Sequence, residues 1–210
     1  MNATRMVGVD LDNTIVCYDS VFFQVTQNLG ILNQTGVSSK KQIRDFLRNS
    51  GREEQWIEIQ GAVYGKYMDQ AAPFEGVMEF LRVCKRNDIP VRIISHRTRH
   101  PFKGPAHDLH ESARRWIEKH QISNAAITGI SKSDVYLEAT NEDKIRRIID
   151  CRCNVFIDDL SEFLIQPNFP RGVERILFDP LNLSLNEEYL TRMGSWSQIS
   201  AWIMDRDWSR

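Results

Sequence analysis

Short apolar runs that alternate with helix-forming segments are the feature that most limits the folds open to this chain. The runs are nearly continuous in hydrophobicity rather than alternating between polar and apolar residues, which is typical of strands covered by helices on both faces. They lie at residues 6–9, 91–94, 135–137, 155–157 and 176–178. This pattern predicts a parallel sheet.

Amphipathic helices are predicted between and after these runs. Apolar residues recur at helical spacing over residues 77–84, 109–117, 145–149 and 196–203. Pro73 is predicted to open the first helix, and Thr140-x-x-Asp143 and Ser195-x-x-Gln198 are capping boxes for the last two. Because strand and helix alternate, the predicted fold class is α/β, with a doubly wound parallel sheet.

Residues 17–72 break this alternation, because they contain only helical patterns. Three helices are predicted there, over residues 21–29, over 43–47 behind a Ser39-x-x-Gln42 box, and over 56–67. A connection between two parallel strands needs only one helix, so we interpret residues 17–72 as an inserted helical lid. Residues 1–16 and 73–210 then form the core domain.

Composition and charge exclude several classes of protein. The 210 residues are 41% hydrophobic and 26% charged, which is typical of a globular protein and excludes disorder, collagen and coiled coil. With 27 basic and 28 acidic residues the net charge is -1, so nucleic acid is not predicted as a partner. No apolar run approaches the roughly 18 residues of a membrane helix, and four cysteines are too few for a disulfide framework. The expected location is the cytoplasm, without attachment to a membrane.

Acidic and hydroxyl side chains follow three of the predicted strands. Asp10 and Asp12 follow the first, Ser95 follows the second, and Asp158 and Asp159 follow the fourth. Open α/β sheets bind ligands at this carboxyl edge, and residues i and i+2 of a strand point the same way, so Asp10 and Asp12 are expected to converge. Four neighbouring carboxylates would repel one another unless a cation lay among them. Ligation by oxygen atoms alone suits magnesium.

In chain order, these residues resemble the four motifs of the haloacid dehalogenase (HAD) superfamily. The motifs are Asp10-x-Asp12-x-Thr14, Ser95, a lysine that opens the helix before the fourth strand, and Asp158-Asp159. The resemblance spans about residues 6–178 and implies a Rossmann-like core whose helical insertion closes as a cap over small substrates. It also implies that Asp10 is the nucleophile and Asp12 the general acid/base. Magnesium would be held by Asp10, Asp158 and the main-chain carbonyl of Asp12.

Two lysines can serve as the lysine of the third motif. Lys144 lies in the first turn of the helix that Thr140 caps, whereas Lys132 lies earlier, in a Ser-Lys-Ser loop. We favour Lys144, because a helix start at the carboxyl edge of the sheet is where an anion is held. The resemblance implies that this lysine and Ser95 bind the transferring phosphoryl group. The alternative for Lys144 is a solvated lysine on a helix surface.

The segment directly after Ser95 is basic. Residues 96–104 contain Arg97, Arg99 and Lys103 and no acid. We predict that His96, Arg97 and Arg99 bind substrate and hold a second anionic group, either a carboxylate or a distal phosphate. The alternative is a solvated basic loop.

Together these residues predict a magnesium-dependent phosphatase that hydrolyses a small phosphorylated metabolite through an aspartyl-phosphate. The dehalogenases of the superfamily lack an acid/base at the position of Asp12, so cleavage of a carbon–halogen bond is disfavoured. Two alternatives stay open. One is a phosphomutase or other phosphotransferase of the same superfamily, and the other is a non-catalytic regulatory or binding protein on the same fold.

Overall fold

A computed structural model describes residues 5–32, 39–183, 190–206 and 208 of the chain. Its strands are β1 (Val7–Val9), β2 (Val16–Cys17), β3 (Ala72–Pro73), β4 (Val91–His96), β5 (Val135–Glu138), β6 (Val155–Asp158), β7 (Glu174–Phe178) and β8 (Thr191–Met193). Its helices are α1 (Asp19–Asn28), α2 (Lys40–Asn49), α3 (Glu53–Tyr64), α4 (Val77–Arg86), α5 (Leu109–Lys119), α6 (Ala125–Thr128), α7 (Asn141–Asp150), α8 (Ser161–Leu164) and α9 (Trp196–Asp205).

Six strands form one parallel sheet in the order β5-β4-β1-β6-β7-β8. The five apolar runs of the sequence supply β1, β4, β5, β6 and β7, so the predicted doubly wound α/β fold is confirmed. β1 lies at the centre, hydrogen-bonded to β4 on one side and to β6 on the other. The chain segments that follow these three strands therefore meet at one edge of the sheet.

Both faces of this sheet are buried, as the near-continuous apolar runs predict. Ile93 of β4 packs into the larger apolar core on one face, and the next residue, Ile94, packs into a second core on the other. In β6, Ile157 packs into the larger core and Phe156 packs into the second. Gly8 of β1 lies under the Phe156 ring, where an added Cβ would be only 2.5 Å from a ring carbon, so the close packing of β1 on β6 requires glycine there.

One strand of the main sheet is missing from the sequence-based prediction. β8 pairs with the edge of β7, and only Met193 of its three residues is buried, while Thr191 and Arg192 are exposed. A short edge strand of this kind has no run of apolar residues. The pattern that finds buried strands therefore misses it.

The capping boxes of the sequence begin the helices expected of them. The side chains of Ser39, Thr140 and Ser195 accept hydrogen bonds from the third backbone N–H of α2, α7 and α9. The predicted start of α4 at Pro73 is wrong, because Pro73 lies in β3 and the helix begins at Val77, after Gly76 with a φ of 85°. In the ranges that the structure describes, no helix is long and apolar enough to cross a membrane.

A two-stranded antiparallel ribbon encloses the inserted segment. Cys17 of β2 pairs with Ala72 of β3, so the chain leaves the main sheet and returns to it at adjacent points. Three helices, α1, α2 and α3, lie between these strands. They pack through aromatic rings, with Phe22 stacked on Trp56 at 5.1 Å and Tyr18 beside Tyr64 at 4.9 Å. That residues 17–72 act as a cap stays a prediction.

Candidate active site

The predicted motif residues meet at the carboxyl edge of the three central strands. Asp10 directly follows β1, Ser95 is the next-to-last residue of β4, and Asp158 ends β6. Asp10 and Ser95 line a cavity of about 340 Å³ that also reaches α2 and α3 of the inserted segment. This volume is in the range of small-molecule sites.

Three carboxylates come together at this edge. Asp10, Asp158 and Asp159 each offer an oxygen atom, and these atoms lie within 4.8 Å of one another. Burial raises the pKa of the Asp158 carboxyl to about 6, with Lys144 lowering it and Asp10 raising it further. Burial likewise raises the pKa of Asp159 well above its usual range. Two buried carboxylates and one half-buried carboxylate whose charges repel fit a divalent cation such as magnesium.

The structure distinguishes between the two candidate lysines. Lys144 is buried, and its Nζ donates hydrogen bonds to Asp10 Oδ1 and Asp158 Oδ2, both at 2.7 Å. Burial alone would lower the pKa of Lys144, but the two carboxylates raise it above its ordinary value, so the ammonium group keeps its charge. Lys132 lies elsewhere, with a side chain 72% exposed and its Nζ 3.0 Å from Glu118.

Ser95 presents a free hydroxyl to the cavity. Its side chain is 1% exposed, and Oγ has no hydrogen-bond partner among the residues that the structure describes. A buried hydroxyl without a partner costs free energy, and a ligand that hydrogen-bonds to it would remove that cost. The position of Ser95 therefore suits an oxygen-rich ligand next to Asp10.

Asp12 has different neighbours from the other carboxylates. β1 ends at Val9, so strand alternation does not orient Asp10 and Asp12 as the sequence-based argument assumed. A tight turn with Asn13 at a φ of 61° follows, and in it Asp12 accepts a hydrogen bond from Tyr18 Oη at 2.8 Å. Asp12 still lines the cavity, but its carboxylate is not a member of the three-carboxylate set.

The partner of Asp12 is Arg97, for which the sequence predicts substrate binding, with a solvated basic loop as the alternative; the alternative is wrong for this residue, because its side chain is buried. The Arg97 side chain is 1% exposed, and its guanidinium forms an ion pair with the Asp12 carboxylate through both Nη2 and Nε. Nη1 donates to the main-chain oxygen atoms of Tyr64 in α3 and Leu109 in α5. Arg97 therefore orients the Asp12 carboxylate, and its hydrogen bond to Tyr64 connects the inserted helix α3 to the core.

The other predicted substrate-binding residues divide between two places. His96 is exposed and lines the cavity, with Nε2 3.1 Å from the main-chain oxygen of Ala139. Arg99 is not among the lining residues, and its side chain is 71% exposed and paired with Asp108 at 3.0 Å. The prediction that Arg99 binds substrate is therefore not supported, because its exposed side chain pairs with Asp108 and does not line the cavity.

Comparisons with known proteins identify the fold. No family model matches the chain, and no curated protein sequence matches it. Solved structures do match over nearly the whole chain. A HAD-superfamily hydrolase from Ehrlichia chaffeensis is 16% identical, with a TM-score of 0.56, and the match covers 97% of this chain and 98% of that one. The chain has the HAD-superfamily fold.

Other structures with the HAD fold include ones with ions bound. A HAD family hydrolase from Deinococcus radiodurans, with bound phosphate and sodium, is 12% identical with a TM-score of 0.57 over 95% of this chain and 94% of that one. The HAD hydrolase YfnB from Bacillus subtilis, bound to magnesium, is 10% identical with a TM-score of 0.57, over 95% and 98% of the two chains. A dehalogenase is also among the matches, at 12% identity and a TM-score of 0.51 over 95% and 96% of the two chains.

Within this HAD fold, three features of the site escaped the sequence-based prediction. Tyr18 holds Asp12, and Lys40 and Arg44 of α2 line the cavity. Residues 40, 44 and 48 are all basic and spaced by four, on the face of the helix next to the buried Ile43 and Leu47. That spacing was a usable signal for a basic helix face.

Proposed function

We propose that this chain is a hydrolase, and specifically a magnesium-dependent phosphatase that acts on a small phosphomonoester through an aspartyl-phosphate. The observation that carries the proposal is the buried hydroxyl of Ser95, which has no hydrogen-bond partner among the described residues and lines the same cavity as the Asp10–Lys144 pair. A nucleophilic carboxylate, a fixed ammonium group and a free hydroxyl are the groups that phosphoryl transfer requires for attack and for charge stabilisation.

In the first step, an oxygen of the Asp10 carboxylate attacks phosphorus, and the bond from phosphorus to the leaving alcohol breaks. Asp12 supplies the proton that the alcohol takes with it. Lys144 and Ser95 stabilise the negative charge on the phosphoryl oxygen atoms. In the second step, Asp12 removes a proton from water, the resulting hydroxide attacks phosphorus, and the Asp10 carboxylate leaves.

Asp10, Asp158 and Asp159 would hold the magnesium ion, and the family resemblance adds the main-chain carbonyl of Asp12. When bound, the ion would supply positive charge that offsets the carboxylates and the phosphoryl group. This residue set fits such an ion, because its three oxygen atoms are close together and two of the three carboxyl groups have pKa values raised by burial.

Three other functions are compatible with the same fold. Cleavage of a carbon–halogen bond needs no proton donor for the leaving halide, so the acid/base at Asp12 favours phosphate esters. Transfer of the phosphoryl group to an acceptor other than water would use the same residues. A non-catalytic binding protein would have no need for a nucleophile 2.7 Å from a charged lysine.

Release of inorganic phosphate from an aryl phosphate tests the proposal, and we expect it to require magnesium. EDTA should stop the release and added magnesium should restore it. Asp158→Asn should raise the magnesium concentration for half-maximal rate by at least about tenfold, the smaller effect known for residues that only orient a metal ligand. The measurement is a magnesium titration of the initial rate.

Asp150→Asn is the matched control for that titration, because it makes the same change at an exposed position at the end of α7. It should leave the magnesium requirement unchanged. Undiminished activity after exhaustive chelation would contradict the magnesium assignment. Release of halide, with no release of phosphate, would favour a dehalogenase instead.

Asp12→Asn should lower turnover by roughly 10²–10⁴, which is the usual contribution of a positioned acid/base. Asparagine keeps an acceptor for Arg97 and Tyr18, so the variant separates loss of proton transfer from loss of packing. The loss should be smaller for aryl phosphates whose leaving groups need no proton. The measurement is kcat across a series of leaving groups, and an equal loss for all of them would show that Asp12 does not transfer the proton.

A further inference from the structure

Helix α2 presents a row of basic side chains to the cavity that contains Asp10. Lys40, Arg44 and Arg48 are four residues apart, which places them on one face of the helix, and all three line this cavity. Lys40 and Arg44 also line an adjoining smaller cavity. The inserted segment therefore brings positive charge to the space next to the carboxyl edge of the sheet.

The cations of the core are already paired. Lys144 binds two carboxylates, Asp10 and Asp158, and Arg97 binds Asp12. On α2, Arg48 has both Nε and Nη2 on the Glu53 carboxylate, at 2.8 and 3.0 Å. Lys144, Arg97 and Arg48 are therefore each paired with a carboxylate of the protein, and none of them is well placed to bind a ligand group far from Asp10.

Lys40 and Arg44 differ from these residues. Within the described ranges, Lys40 forms no ion pair, and its Nζ lies 5.6 Å from the centre of the Tyr64 ring. Burial alone would lower the pKa of Lys40, but Tyr64 and Asp159 raise it above its ordinary value, so the side chain stays charged. A half-buried ammonium group that keeps its charge and forms no ion pair with a described carboxylate can donate to an anionic group of a ligand.

Among the described residues, Arg44 has partners for few of its donors. Its Nε donates to Asp45 Oδ1 at 3.0 Å, while its two terminal nitrogen atoms have no hydrogen-bond partner in the part of the chain that the structure describes. The side chain is only 22% exposed, and it lies where both cavities are lined by α2. Two parallel N–H donors on a guanidinium match the two oxygen atoms of a carboxylate or phosphate.

We propose that Lys40 and Arg44 bind a second oxyanion of the substrate, so that this site selects phosphomonoesters that carry another anionic group. This inference rests on the proposed function, because it takes the scissile phosphate to lie at Asp10. It transfers the recognition of a second anion from the loop after Ser95 to the inserted helix α2. The chemical class is a small phosphorylated acid or bisphosphate.

Binding of phosphonates tests this inference without any turnover. Alkylphosphonates and ω-phosphonocarboxylates of matched, increasing chain length are titrated calorimetrically into the protein with magnesium present. At one chain length or more, we expect the carboxylate-terminated ligand to bind at least about tenfold tighter, which corresponds to one charge-assisted hydrogen bond. A ratio near one at every chain length would overturn the inference.

Variants locate the source of that preference. Arg44→Gln and Lys40→Met should each bring the affinity ratio toward one, whereas Arg44→Lys should retain part of it because the charge stays. Arg48→Gln should lower the ratio less, since Glu53 occupies its donors. Arg146→Gln is the matched control, a 70% exposed arginine on α7 whose loss should leave the ratio unchanged. An equal fall with Arg146→Gln would attribute the preference to net charge and overturn the inference.

The outcomes also separate this inference from the proposed function. If the protein shows the carboxylate preference and loses it in Arg44→Gln, but releases no phosphate from aryl phosphates, the phosphatase proposal fails and the anion site stands. If it hydrolyses aryl phosphates and shows no preference, the phosphatase stands and the anion site fails. Thermal unfolding of each variant establishes that a lost preference does not reflect a lost fold.

Discussion

Replacing Asp10 with asparagine should leave no steady-state release of phosphate from an aryl phosphate. The amide is a poor nucleophile and a weak metal ligand, so attack on phosphorus is lost. The fold should persist, because asparagine has the same size and keeps an acceptor for Lys144, whose Nζ is 2.7 Å from Asp10 Oδ1. Phosphate release and thermal unfolding, measured on the same sample, test the two halves of this expectation.

The control for Asp10→Asn is again Asp150→Asn, which should keep full activity. Mass spectrometry of the Asp10→Asn sample excludes reversion to aspartate by deamidation. Turnover retained in a sample free of reversion and of contaminating phosphatase would remove Asp10 from the role of nucleophile. Because Asp10 is one of the three carboxylates that would hold magnesium, the same result would also weaken the magnesium assignment.

Much of the core fold follows from the sequence, because a central parallel strand must be apolar on both faces. β1, β4 and β6 satisfy this condition, and their apolar runs are found directly. The side-chain oxygens of Ser39 and Thr140 identify helix starts in the same local way. Edge strand β8 and the short helix α8 carry no such signal, because a half-exposed strand and a single turn of helix need few apolar residues.

The site is predictable where strand ends determine it. Asp10 directly follows β1 and Asp158 ends the neighbouring β6, so their proximity follows from the topology alone. Lys144 is less determined, since the sequence offers Lys132 as well. The structure places the Lys144 ammonium between the two carboxylates because α7 begins at the same edge of the sheet.

Arg97 could not be assigned from the sequence, because partners such as Asp12 and Tyr64 lie 85 and 33 residues away along the chain. Its guanidinium meets Asp12, Tyr18 and the main-chain oxygen atoms of Tyr64 and Leu109, which come from four separate segments. Composition near Arg97 shows only a basic loop. A charged side chain can be buried when other segments of the chain supply acceptors for its hydrogen bonds. The residues next to Arg97 in the sequence do not indicate that such acceptors exist.

Arg97→Met should therefore destabilise the fold by about 3–5 kcal/mol, the usual cost of leaving one member of a buried ion pair without its partner. Methionine can fill much of the space of the arginine stem, so the loss comes mainly from the uncompensated Asp12 carboxylate and from the main-chain carbonyl of Tyr64, which loses its Arg97 donor. Urea unfolding of the magnesium-free protein measures the change in the free energy of unfolding.

Arg146→Met supplies the comparison, because Arg146 is 70% exposed and its loss should change the free energy of unfolding by no more than about 0.5 kcal/mol. Adding Asp12→Asn to Arg97→Met should recover part of the loss, since no unpaired carboxylate is then left in the interior. If Arg97→Met costs no more than Arg146→Met, the guanidinium is solvated, and the solvated basic loop that the sequence left as an alternative is the better description. If the losses of Asp12→Asn and Arg97→Met simply add, Arg97 stabilises the protein through the inserted helix and not through Asp12.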